Sequence, residues 1–157
     1  MAAVLGAVLL GCGVQPTGVV DAGEPATGLT RGMRLYYVGD GGLRAVPLID
    51  QRVKTLDSVV KMLLQPPPAT EGGGLTTLVD IGGFSVTGQG DRVTVALEGP
   101  GGMAQHERLG TGQLVCTLAR AQSVLEPGVR TDDVQVLLKP SEGAAQGPYR
   151  CSEFLDG

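Results

Sequence analysis

Aromatic residues are nearly missing from this 157-residue chain, which has no Trp, two Phe and three Tyr. A core of any size must therefore be built from Leu, Val, Ile and Ala. Histidine occurs once, as His106, so a zinc site built on several His ligands is excluded by composition. Basic residues are outnumbered, twelve against sixteen acids, for a net charge of −4, and the two signs are mixed along the chain. Without a basic stripe, nucleic acid is not an expected partner. There are three cysteines, Cys12, Cys116 and Cys151.

Charge is also absent from the first eleven residues, where Val4, Leu5, Val8, Leu9 and Leu10 make an apolar run. It has the length of a signal-peptide core and is too short to span a bilayer, which takes about 20 residues. The run closes on Leu9-Leu10-Gly11-Cys12, which resembles the bacterial lipobox: a leucine three before the cysteine and a small residue just before it. Cys12 is therefore the expected lipid attachment point, and two acyl chains there would give stable membrane anchoring. A secretory leader ordinarily opens with Lys or Arg, and none precedes Arg31. Residues 13–32 are rich in Gly, Pro, Thr, Ala and Val without periodicity, as a flexible tether would be. The expected organisation is a leader over 1–11, a tether over 12–32 starting at the lipidated cysteine, and one domain with a C-terminal tail over 33–157. Nine Arg against three Lys, with abundant Gly and Ala, point to a GC-rich genome such as a Gram-positive actinobacterium's.

With Cys12 assigned to lipid, Cys116 and Cys151 form an even pair, as expected of one disulfide in an exported domain; two separate buried thiols are the alternative.

Within the domain, Arg34-Leu35-Tyr36-Tyr37-Val38 has strand composition, and Gly39-Asp40-Gly41-Gly42 suits a hairpin turn into a second strand over 43–49. That glycine cluster is not a phosphate cradle, which would want a Lys and a following helix. Leu56, Val59, Val60, Leu63 and Leu64 fall at i, i+3, i+4, i+7 and i+8, one face of a helix with Thr55 as N-cap, stopped by Pro66-Pro67-Pro68. Strands follow at 84–87 and 92–97, joined by Gly88-Gln89-Gly90-Asp91, with Val93, Val95 and Leu97 on one face. A second helix is expected over 105–125, with Leu114, Leu118, Ala121 and Leu125 as its apolar stripe. Cys116 sits about 200° around the wheel from Leu114, off that stripe. A polar tail over 139–157, folded across the outer face of this helix, could be stapled there through Cys151. Val134-Gln135-Val136-Leu137-Leu138 makes the last strand. The order β-β-α-β-β-α-β gives an α+β fold, two helices packed on a mostly antiparallel sheet.

Several segments together resemble the GerMN domain, a sporulation and spore-germination module of Gram-positive lipoproteins. They are residues 35–39, Leu63-Leu64, Gly74-Leu75-Thr76-Thr77, 92–97, the Gln-Leu-Val-x-Thr-Leu series at 113–118, and 134–138. Gln65-Pro66 replaces the family's Gly-Pro, Ala96-Leu97-Glu98 departs from its central strand ending, and Cys116 stands where Tyr is common. The resemblance implies an extracytoplasmic interaction module for envelope assembly or signalling, and it brings no catalytic residues.

The residues themselves point the same way. His106-Glu107 lacks the second His of a metalloprotease pair. No Gly-x-Ser-x-Gly elbow surrounds Ser58, Ser85, Ser123, Ser141 or Ser152. Asp132 and Asp133, adjacent at the entry to a strand, would point to opposite faces and read as a solvated turn. No catalytic residue, metal ligand or cofactor is expected. The expected function is a membrane-anchored, non-catalytic module that binds an envelope protein or cell-wall component. The alternative is a small-ligand-binding lipoprotein serving as a transport accessory.

Overall fold

In the computed structural model, residues 32–49, 51–67, 74–99 and 107–155 are described; Cys12, the leader, the tether up to residue 31, and His106 lie outside them. The fold is α+β, and the seven expected elements occur in the expected order. Strands β1 (Arg34–Gly39) and β2 (Gly42–Pro47) pair antiparallel around a two-residue turn, with Gly42 at φ 107°. That backbone conformation is open to Gly at no steric cost. Helix α1 (Leu56–Leu63) begins where the Thr55 hydroxyl accepts from Ser58 N at 3.2 Å, and it buries Leu56, Val59, Val60 and Leu63. Strands β3 (Gly83–Gln89) and β4 (Arg92–Glu98) form a second two-residue hairpin with Gly90 at φ 57°. Val93, Val95 and Leu97 are all buried, as the two-residue period requires.

Helix α2 (Glu107–Leu125) then carries the chain across to β5 (Gln135–Lys139), which lies parallel to β4. Parallel neighbours need such a crossover, because a tight turn cannot reverse the chain twice.

Three features differ from the sequence-based expectation. The strands divide between a two-stranded sheet, β1-β2, and a four-stranded sheet in the order β3-β4-β5-β6. The C-terminal tail supplies β6 (Gln146–Tyr149), antiparallel to β5, and a short helix α3 (Ser152–Leu155). Finally, α2 has no single buried stripe: it touches both sheets, α1 and α3, and residues 110–119 are buried without interruption. A helix covered on every side needs its polar side chains satisfied internally. Among the described residues no buried side-chain nitrogen or oxygen lacks a partner.

The close approach of the tail explains Gly112 in the body of α2. A Cβ there would lie 2.8 Å from Phe154 Cβ and 2.9 Å from Leu43 Cδ1. Replacing an interior helical Gly by Ala gains about 1 kcal/mol of propensity, but overpacking costs about 1–3 kcal/mol, and Phe154 Cβ lies too close to its backbone to swing aside. Gly112→Ala is therefore expected to lower the unfolding free energy by up to about 2 kcal/mol. Gly128→Ala, where a Cβ meets nothing within 4 Å, should be neutral or mildly stabilising. Urea unfolding of the two variants checks this, and a Gly112→Ala protein more stable than the parent would refute the packing argument.

Candidate functional site

The sheet formed by β1 and β2 has an edge facing α2, and α2 closes it with side chains. Gln113 and Thr117 are four residues apart and so share a helix face. Thr117 Oγ1 accepts from Tyr36 N at 3.0 Å, and Gln113 Nε2 donates to Tyr36 O at 3.0 Å. Two residues along the strand, Val38 N and O pair with Thr76 O and N at 2.9 and 2.8 Å. Gln113 also binds the bridging segment itself, donating to Thr76 O at 3.3 Å and accepting from Leu78 N at 2.6 Å. Residues 35–39, 74–77 and 113–118 thus meet at one buried amide. Gln113→Leu keeps the volume but leaves the Leu78 N–H without its acceptor. A loss of about 1–3 kcal/mol in unfolding free energy is expected, with faster amide exchange at Leu78. An unchanged urea midpoint would show that the node is dispensable.

The neighbouring end of the same strand and helix opens into a cleft of about 810 Å³. Its lining comes from β1, the C-terminal half of α2 and the turn at Thr131–Asp133, and it includes Arg34, Tyr36, Arg120, Val124, Thr131 and Asp132. Arg34 and Tyr36 project from the face of β1 opposite buried Leu35 and Tyr37. Arg120 lies three residues beyond Thr117, on the next turn of α2. Its guanidinium donates from Nε and Nη2 to Gly32 O at 2.9 and 2.7 Å, and from Nη1 to Thr131 Oγ1 at 3.5 Å. The Ser123 and Thr131 hydroxyls share a 2.8 Å hydrogen bond. Partial burial pushes the Arg120 pKa below its ordinary value; the nearby Arg34 charge acts in the same direction, and Tyr36 opposes it. Arg120 still remains cationic at neutral pH.

The other residues singled out by sequence are dispersed. Ser58 Oγ donates to Thr55 O at the start of α1, Ser141 Oγ donates to Gly99 O, and Ser85 and Ser152 are exposed. Asp132 and Asp133 are both exposed in the turn before β5, and the Asp132 carbonyl accepts from Arg150 Nη1 at 3.0 Å. Among the described residues no three His, Cys, Asp or Glu side chains gather as a metal site would require, and no helix is long and apolar enough to cross a membrane.

Cys116 and Cys151 are bonded to each other, 35 residues apart in sequence, and both are buried. The bond ties α2 to the start of α3. Around it, Tyr149 and Phe154 meet edge to face at 5.7 Å and the Arg108 guanidinium lies 5.6 Å from the Phe154 ring. Closing a loop of this length stabilises by about 4 kcal/mol in the chain-entropy treatment. Cys151→Ala should lose a stability of that order, read as a lower thermal midpoint that reductant no longer changes. A midpoint equal to the parent's would count against a structural bond.

Sequence spacing did not reveal the cleft, because Arg34 and Arg120 are 86 positions apart and only the packing of β1 on α2 joins them. One signal was available: the polar pair Gln113 and Thr117, four apart within an otherwise apolar segment. No family model, curated protein or solved structure matches the chain.

Proposed function

We propose that this chain is a lipoprotein held on the outer face of the cell membrane through Cys12. In this reading its GerMN-like domain is a non-catalytic module that binds an envelope protein or a cell-wall component. The observation that carries the binding part is the content of the cleft, where Arg34, Arg120 and Arg130 converge with the Tyr36, Ser123 and Thr131 hydroxyls. Guanidiniums form charge-assisted hydrogen bonds and hydroxyls can donate or accept beside them, which suits a binding surface. The Cys116–Cys151 bond supports an address in an oxidising compartment. The Leu9-Leu10-Gly11-Cys12 series and the tether support the anchor.

A second reading, a small-ligand-binding lipoprotein serving as a transport accessory, is favoured by the cleft's size. About 810 Å³ falls within the roughly 300–1,000 Å³ usual for small-molecule sites. A photo-cross-linker placed at Asp132 in intact cells separates the two. A discrete high-mass adduct is expected for the macromolecular partner, and only low-mass adducts would favour the small ligand. The anchor has its own test. Acyl labelling of the parent and of Cys12→Ala should show label in the parent alone, and equal labelling of both would overturn the attachment point.

A further inference from the structure

The C-terminal tail is joined to the domain by means that differ from those of the other elements. Among the described residues, every buried hydrophobic side chain except Cys151 lies between Met33 and Leu138, so the core is complete without the tail. Residues 141–148 are exposed without interruption. Strand β6 meets β5 at two register positions, Val136 opposite Tyr149 and Leu138 opposite Gln146, with an irregularity between them. Helix α3 is a single turn of four residues. A turn that short bears the cost of nucleation without the gain of propagation, so it needs support from outside.

That support is narrow. Arg150 Nη1 donates to Asp132 O at 3.0 Å and Arg108 Nη2 to Glu153 O at 2.7 Å, both at exposed positions where water competes for the same groups. Phe154 is half-buried beside Gly112 and Leu43. The one buried residue of the tail is Cys151, at 3% exposure, and its sulfur is bonded to that of Cys116, at 0%. A single covalent bond thus does for the tail what many packed side chains do for β1 to β5.

The chemistry of that bond defines how the tail is released. A thiolate breaks a disulfide only where it has access to a sulfur. Cys116 is enclosed in the body of α2, whereas Cys151 stands at the start of the exposed turn of α3, so fraying of that turn uncovers the Cys151 sulfur first. Attack there forms a mixed disulfide with Cys151 and expels Cys116 as a thiolate, which takes up a proton. With a dithiol, the second thiol then displaces Cys151. The reductant leaves as a cyclic disulfide, and both cysteines end as thiols after a transfer of two electrons.

We propose that residues 146–155 form a redox-latched strap. A dithiol reductant opens the Cys116–Cys151 bond and frees β6 and α3 while the rest of the fold stays intact. Release uncovers the outer edge of β5 and the surface of α2 at Gly112 that Phe154 occupies. This device does not depend on the cleft or on the membrane anchor.

The test treats the full-length chain with dithiothreitol under native conditions. Free thiols are counted by alkylation and mass, and backbone amides are followed by hydrogen exchange. Once both thiols are alkylated, the amides of Arg150, Glu153 and Phe154, which are hydrogen-bonded in the strap, are expected to exchange about tenfold faster or more, while Val60, Val95 and Val115 keep their protection. Cys151→Ala is expected to give the same pattern without reductant, and the reduced parent decides alone if that variant does not fold. Full reduction that leaves Arg150, Glu153 and Phe154 unchanged overturns the proposal, because the tail then holds without the bond. Loss of protection at Val60 and Val95 together with the tail also overturns it, as does a bond that yields to the dithiol only when the whole fold opens.

Discussion

A two-stranded hairpin is marginal in water, because each strand leaves a row of unpaired backbone groups and there is too little surface to bury. Here the exposed row on β1 is taken up by helix side chains and by the segment at Thr76. Tyr36 N and O are met by Thr117 and Gln113, and Val38 N and O by Thr76. The dependence runs in both directions. Gln113, Thr117 and Gln122 could not lie at the centre of the molecule without partners, and the backbone of β1, of residues 76–78 and of Gly90 provides them. The edge amide of Val86 on β3 is closed in the same manner by Asp57 of α1, at 3.2 Å. Both helices therefore satisfy strand edges as well as burying apolar surface.

The cleft inherits its geometry from that junction. Arg34 is two residues before Tyr36, hence on the same face of β1; Arg120 and Val124 follow Thr117 along one side of α2. Fixing Tyr36 on Thr117 brings the two arginines into one site. The disulfide acts at the middle of α2, where Cys116 fastens the tail one turn beyond Gly112, which admits Phe154. One helix thus organises the hairpin, the four-stranded sheet, the C-terminal cover and the basic cleft.

Strands β1, β3 and β4, both hairpins and α1 were legible because their signals are local: alternation, Gly-rich turns, a Thr cap and an apolar stripe. The burial of α2 on every side was not legible, since Thr111, Gln113 and Gln122 look like a solvent face until their distant partners are known. The tail hid β6 and α3 because Gly143, Gly147 and Pro148 suggest a loop, and its pairing with β5 is a long-range choice. The division into two sheets is likewise set by packing, as no local pattern tells β1 to pair with an α2 side chain instead of another strand. The cleft follows the same rule: its cations are far apart in sequence, and only tertiary structure gathers them.

The central claim is that α2 and the β1–β2 hairpin form one cooperative unit through the buried Gln113–Thr117 pair. Native-state hydrogen exchange of the amides in α2, β1 and β4 tests it directly. If the claim holds, residues 114–119, Tyr37 and Val95 share a single highest opening free energy, equal to that of global unfolding. If Tyr37 exchanges through a separate, lower-energy opening while 114–119 and Val95 stay protected, the hairpin is an appendage and the claim fails.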